Sequence, residues 1–410
     1  MIRALLTIAF CFFSIWVSAQ TDSSSVKYRP FVDTLEKRDL IDIANSILHK
    51  KARSVADKDE KKFYFSFLPI SSSAMESAGK TLIASTTAGF YLGSPRTTNL
   101  SSINFTPYLN FEGRYGLPIR SNIWLKNNTY NIQGDTRVLV YPQYTWGLGG
   151  GQPEDHKFLV DYVYVRFYQS ALKQITPYLF AGFGYNLDYY LGIESDNGTN
   201  KTLNQFTDYN FGTKTNQNSF SSGPTINLLY DTRNNSINPL PGWYANVIYR
   251  LSAAKLGSID NWQSLYVDVR KYLSLSTVPS GPKNMLAFWA YYWATLSPGS
   301  PYLNLPSIGN DPYQRSGRGI EQNRYRGESL FYLETEYRCD ITDNGLFGFV
   351  AFANVNSASQ PNSRQFKYFN PAGGAGLRIK FNKKTDTNIG IDYGLSKGYS
   401  SISVNLGETF

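Results

Sequence analysis

Few side chains in this sequence are spaced for covalent chemistry. Histidine occurs twice, His49 in a helical N-terminal stretch and His156 in the polar turn 152–157, which is too little for a metal cluster or a histidine-based triad. Gly394-Leu395-Ser396-Lys397-Gly398 matches G-x-S-x-G, but a nucleophile elbow follows a strand and opens a helix. Here a second strand pattern follows, so the stretch reads as a hairpin turn. Ser396 would be the nucleophile if the chain were a membrane-embedded lipid hydrolase. Gly79-Lys80-Thr81 resembles the end of a phosphate-binding loop, yet Ala74 stands where its first glycine belongs and no helix pattern follows. No enzymatic activity, metal or cofactor is expected.

Ion pairing is better provided for. Segment 295–327 carries Arg318, Arg324 and Arg326, and Gly317 and Gly319 flank Arg318 with permissive backbone. A guanidinium taken out of water needs a carboxylate or amide partner. Glu334, Glu336 and Asn354 fall on the same face of the two strands expected next. An inward-folding loop would therefore latch Arg318 and Gly319 onto them, in the bidentate geometry that arginine favours. The competing reading is an exposed arginine on a surface loop.

Such a latch needs strands that keep charge on one side. From Phe63 onward, period-two segments alternate with Gly/Asn/Asp/Pro/Ser turns. Expected strands are 62–70, 80–93, 101–112, 119–132, 136–148, 157–170, 175–190 and 217–230, then 241–253, 259–272, 283–294, 328–340, 344–355, 371–381, 386–396 and 399–410. In 264–270, Leu265, Val267 and Val269 oppose Ser264, Tyr266, Asp268 and Arg270. In 330–338, Phe331, Leu333, Thr335 and Tyr337 oppose Tyr332, Glu334, Glu336 and Arg338. An arginine facing lipid at the midplane costs ~2–4 kcal/mol, so the charged faces should line a lumen. The expected fold is all-β, an antiparallel transmembrane β-barrel of about sixteen strands with a short N-terminal periplasmic helix. The long stretches 191–216 and 295–327 belong on its extracellular side.

The N-terminus reads as an export signal over 1–19. Arg3 precedes an apolar run from Leu5 to Val17, and Val17-Ser18-Ala19 suits cleavage before Gln20. Residues 20–60 form a polar leader in which Leu40, Ile41, Ala44, Ile47 and Leu48 recur at helical spacing behind a capping Asp39. That helix could rest on the periplasmic rim, plug the lumen or bind a partner. Residues 61–410 are the barrel. The 31 Tyr, 26 Phe and 7 Trp suit aromatic girdles, while alternation keeps the mean hydropathy at −0.33. With Cys11 inside the signal, Cys339 is the one mature thiol and no internal disulfide is expected. The net charge of +9 is spread along the chain without a basic cluster, which argues against nucleic acid and for attraction to anionic lipid headgroups.

Tyr230-Asp231-Thr232-Arg233, Arg318-Gly319-Ile320, Glu336-Tyr337-Arg338 and Phe352-Ala353-Asn354-Val355-Asn356, in this order, resemble motifs of the BamA/TamA-like bacterial surface antigen family of outer-membrane assembly barrels. Tyr230-Asp231-Thr232-Arg233 with Asn235, Pro239 and Gly242-Trp243-Tyr244 resembles its strand–turn–strand segment. Arg318-Gly319-Ile320 falls where the family carries its R-G-[FY] loop motif. Tyr325-Arg326-Gly327 and Glu336-Tyr337-Arg338 follow in the family's order. Phe352-Ala353-Asn354-Val355-Asn356 is similar to F-x-D-x-G, Gly373–Arg378 to a G-x-G-L-R strand, and Leu406–Phe410 to a family terminus. Resemblance covers roughly 60–410. Ile320 replaces an aromatic, Asn354 the aspartate that pairs the loop arginine, Asn356 a glycine and Asn234 an aspartate. An Arg–Asn contact lacks the Coulomb attraction of Arg–Asp, so the latch should weaken unless Glu334 or Glu336 compensates. Family members usually carry POTRA domains; this chain resembles the branch without them.

The resemblance implies a bacterial outer-membrane protein that assists insertion or assembly of outer-membrane components. Its implied partners are outer-membrane lipids, periplasmic or lipoprotein assembly subunits and nascent outer-membrane proteins. The work would be done at a lateral seam between the first and last strands, where Phe65, Phe67, Pro69, Ile402, Val404, Leu406 and Phe410 lie. Pro69 cannot donate a ladder hydrogen bond, and an opened edge can template an incoming strand. A passive pore for small solutes is the alternative.

Overall fold

The computed structural model describes residues 37–48, 63–72, 81–110, 114–195, 202–214, 217–233, 235–276, 283–312 and 314–410. The expected signal peptide and the leader apart from 37–48 lie outside the described residues, as do Ala74, Gly79, Lys80 and Asn234. Helix α1 (Leu40–Ile47) forms where its spacing placed it, and Asp39 caps it by accepting the Asp42 N–H at 2.8 Å.

The strands are β1 (Phe63–Ser72), β2 (Thr81–Phe90), β3 (Ser101–Phe105), β4 (Tyr108–Asn110), β5 (Tyr115–Gly116), β6 (Ile119–Trp124), β7 (Tyr130–Val140), β8 (Gln143–Thr145), β9 (Phe158–Thr176) and β10 (Leu179–Ser195). They continue as β11 (Gln217–Asp231), β12 (Gly242–Ser252), β13 (Trp262–Ser274), β14 (Asn284–Thr295), β15 (Ser329–Asp340), β16 (Phe347–Ala358), β17 (Asn370–Asn382), β18 (Thr387–Ser396) and β19 (Tyr399–Leu406). Three passes are each broken in two by a proline that cannot donate to the ladder: Pro107 between β3 and β4, Pro118 between β5 and β6, Pro142 between β7 and β8. Nineteen strands less these three divisions leave sixteen passes among the described residues. Each pass pairs antiparallel with the next, from Phe63↔Phe90 on β1 and β2 to Ser396↔Tyr399 on β18 and β19. It is a meander curled into a barrel.

The faces are inverted relative to a soluble protein. Arg166, Asp188, Arg250, Asp268, Arg270, Glu334, Glu336, Arg338 and Arg378 are buried inside. Phe183, Ile226, Leu228, Phe288, Leu333, Leu377 and Ile402 are exposed outside. Strands β13 and β15 keep the two faces read from 264–270 and 330–338. An apolar exterior around an ionic interior is stable in a bilayer, where alternation satisfies both solvents.

Several boundaries differ from the expected ones, such as β9, which runs to Thr176 where 170 was expected, and two of them have a local cause. The fourth and fifth strands were expected to meet near Gly134-Asp135; the chain instead turns at 125–129, where Asn127 and Asn128 adopt positive φ of 57° and 56°. Asparagine tolerates that region, so the Asn-Asn pair is the turn signal. Gly134 stays within β7, where a Cβ would meet Ser121 Oγ at 2.6 Å. The last strand, expected over 399–410, stops at Leu406 because Gly407 at φ 90° turns the chain inward.

Candidate functional site

The site is assembled from loop 296–328, between β14 and β15, which folds into the lumen. Tyr302, Leu303, Leu305, Ser307 and Ile308 are buried there, and Ile308 and Ile320 pack with Trp289, Tyr291 and Tyr332 of the wall. Arg326 holds the loop together from within, donating to the carbonyls of Tyr302 at 2.9 Å and Leu305 at 3.3 Å. Arg324 caps the loop from above through the Gln152 carbonyl and the Trp146 ring. The three neighbouring arginines therefore have three different partners.

Arg318 reaches the wall. Its Nε donates to Glu334 Oε1 at 2.9 Å, its Nη1 to Asp392 Oδ2 at 3.0 Å, and its Nη2 to both Glu334 and Glu336. The guanidinium lies over the Phe352 ring with 3.7 Å to the centroid. Gly317 and Gly319 on either side have φ of 80° and 81°, a region most residues avoid. Gly319 also presses against β18, where a Cβ would sit 2.6 Å from the Leu395 N–H nitrogen. All five expected latch residues are together, but Asn354 has a different role from the one its motif suggested. Its Nδ2 donates to the Arg318 carbonyl at 3.0 Å, so it fixes the loop backbone and leaves the guanidinium to the acids.

Asp392 is the partner that sequence reasoning missed. It lies on the inward face of β18, two residues before Gly394, far from the arginine in sequence. Behind it the charges continue: Arg378 donates to Asp392 at 2.6 Å and to Glu408 at 2.8 Å, and Arg338 pairs with Glu336 while donating to the Phe410 carbonyl oxygen at 2.8 Å. Every carboxylate is shared between donors, which lowers the cost of keeping it from water.

The loop tip crosses to the opposite wall. Arg137 of β7 donates to the Pro312 carbonyl at 2.9 Å and Arg120 of β6 to Gln314 at 3.3 Å. Arg315 donates to the carbonyls of Glu408 and Thr409, just after β19. One loop therefore holds both halves of the sheet. A cavity of about 430 Å³ remains beneath it, lined by Arg120, Asp135, Tyr164, Arg166, Asn227 and Arg250 among others.

The two ends of the sheet are β1 and β19. Among the described residues no ladder joins them; β19 comes near β2 instead, and Lys384 stands over the Tyr64 ring. Phe65, Phe67 and Ile402 are exposed on these edges, Val404 is half-buried, and Leu406 is buried. Pro69 aligns with Ala84 in the β1–β2 ladder. Phe410, expected at the seam, instead turns into the lumen and packs on Trp289 and Tyr272, because Arg338 and those rings offer it a buried seat. The G-x-S-x-G stretch forms the hairpin between β18 and β19. Among the described residues no group of acidic, histidine or cysteine side chains is arranged to hold a metal.

No family model and no curated protein matches the sequence. Solved structures do. A BamA from Haemophilus ducreyi lacking POTRA domains 1–3 superposes with a TM-score of 0.50 at 13% identity, covering 89% of this chain and 77% of that one. CdiB from Acinetobacter baumannii gives a TM-score of 0.52 at 13% identity over 85% of this chain, which spans 60% of the CdiB chain. At this identity the likeness is one of fold: the chain is a β-barrel of the shape those two proteins share.

Proposed function

We propose that this chain is a bacterial outer-membrane barrel of the BamA/TamA type that assists insertion or assembly of outer-membrane components at the seam between β1 and β19. The observation that carries the reading is that no ladder joins β1 and β19 among the described residues, while the lumen loop ties the end of β19 to β6 and β7. An unpaired edge presents a row of N–H and C=O groups to which an incoming strand can add. The loop sets the resting position, since its Arg315 holds the β19 end while Arg120 of β6 and Arg137 of β7 hold its tip. The partners that fit are outer-membrane lipids, periplasmic or lipoprotein assembly subunits and nascent outer-membrane proteins. The chain carries no chemistry of its own in this reading.

Pull-down of the tagged native protein in mild detergent should bring assembly subunits with it. Arg318→Ala should leave a folded barrel but alter outer-membrane composition in a sensitised strain; unchanged composition and growth would remove the proposal. A passive pore makes the opposite electrical prediction. With loop 296–328 in the lumen, planar bilayers should show low, unsteady conductance, whereas a steady open level would favour the pore.

A further inference from the structure

Helix α1 is fastened to the barrel by its polar edge. Asp39 and Asp42 cap each other's backbone and together hold the turn after β17: Lys383 N–H donates to Asp39 at 2.8 Å and Lys383 Nζ to Asp42 at 2.6 Å. Arg38 N–H donates to the Asn344 carbonyl at 3.0 Å, in the turn between β15 and β16. These contacts all lie at the helix N-terminus. At 100° per residue, Leu40, Ile41, Ile43, Ala44, Ile47 and Leu48 fill the remaining arc. No helix residue is buried, and Ile47 and Leu48 are 71% and 62% exposed. Leu40 and Ile43 are half-buried while the rest of the arc stays exposed, whereas an amphipathic helix on a soluble protein buries its apolar arc.

Three features select a lipid surface as the occupant. Ile341 and Phe347, at either end of the turn that binds Arg38, are exposed, so the segment to which α1 is fastened itself presents apolar side chains outward. Lys37, Arg38, Lys383 and Lys384 outnumber Asp39 and Asp42, which hold Lys383, and the excess positive charge suits phosphate headgroups. The arc of an eight-residue helix is also a small fraction of the ~1,200 Å² that a stable protein interface buries. We infer that α1 is an interfacial anchor, lying in the headgroup layer on the short-turn side of the barrel with its apolar arc in the acyl boundary and its cations on anionic phosphates. This rests on the barrel being embedded in a bilayer. It fastens the turns beside β15, β16, β17 and β18, and hence the sheet end that carries β19, to the membrane.

The test uses the full chain in a Cys339→Ser background, with Ile47→Cys carrying an environment-sensitive fluorophore. The protein is reconstituted into phosphatidylethanolamine/phosphatidylglycerol vesicles containing lipids with a nitroxide near the headgroup. Leu333→Cys, on the outward face of β15, reports barrel insertion, and Ser46→Cys reports the polar edge of α1. The expected result is a blue shift and loss of emission at Ile47 and Leu333, with Ser46 unaffected, and a smaller loss at Ile47 when phosphatidylglycerol is omitted. Quenching at Leu333 without any at Ile47, or a blue shift at Ile47 already present in detergent and insensitive to nitroxide, would overturn the anchor while leaving the barrel intact. Absence of quenching at Leu333 would instead overturn the embedded barrel.

Discussion

Arg318 is surrounded by more negative charge than its motif required. Glu334, Glu336 and Asp392 all bond its guanidinium, and Arg338 and Arg378 share two of them. Removing the arginine leaves buried carboxylates short of a cation, and Arg318→Ala should cost about 3–5 kcal/mol of loop stability. Protease sensitivity of loop 296–328 reads this directly. The residue at 354 gives a sharper test. Restoring the aspartate expected from the motif removes the amide that holds the Arg318 carbonyl and adds a fourth acid to three. Asn354→Asp should therefore weaken the latch by roughly 1–3 kcal/mol. A variant more protease-resistant than the parent would show that the guanidinium still lacks charge.

At the scale of elements, the loop sits correctly because two glycines meet. Gly319 and Gly394 approach so closely that a Cβ on either would fall 2.6 Å from a backbone nitrogen of the other segment. Gly319→Ala adds a side chain where φ is 81° and should lift the loop from β18, at a cost of about 1–3 kcal/mol. Conductance in planar bilayers should rise as the lumen clears; an unchanged trace would place the loop elsewhere. The strands tolerate change differently on their two faces. Period-two alternation was readable because lipid and lumen demand opposite chemistry at successive residues. The turn at 125–129 was harder to find, since Asn127-Asn128 and Gly134-Asp135 are both reasonable turn sequences and neighbouring strands decide between them.

Across the whole molecule, stability should be uneven. Among the described residues, strands β12 to β17 pair on both sides, whereas β1 and β19 each have one ladder. Backbone amides on the free edges of β1 and β19 should exchange with solvent faster than those of β13 to β16, and equal protection would mean that the seam is zipped. The short-turn end has its own brace. Burial alone would raise the Asp386 carboxyl, but Lys283 at 3.1 Å and Lys380 beside it outweigh that and hold it well below the usual carboxylate range. A carboxylate held low contributes stability that is complete above its unfolded value, ~4, and is lost as pH falls through the lowered one. Acid below about pH 4 should thus loosen this end, and Asp386→Asn should flatten the dependence. Gel mobility of unheated samples across pH measures it; identical acid profiles for the two proteins would discount the brace.

The sequence by itself determined a membrane-type barrel of about sixteen passes, the inward faces of β13 and β15 and the capped leader helix. Each of these follows from contacts between near neighbours or from the solvent that each face must meet. It also brought Arg318 to Glu334 and Glu336, because β15, which carries both, follows the loop directly. Only the tertiary structure decided that Asp392 completes the latch, that the loop tip reaches Arg120 and Arg137, and that Phe410 leaves the seam for the lumen. Those partners lie 74 residues or more from the loop residues they bond, and only the curl of the sheet brings them within reach.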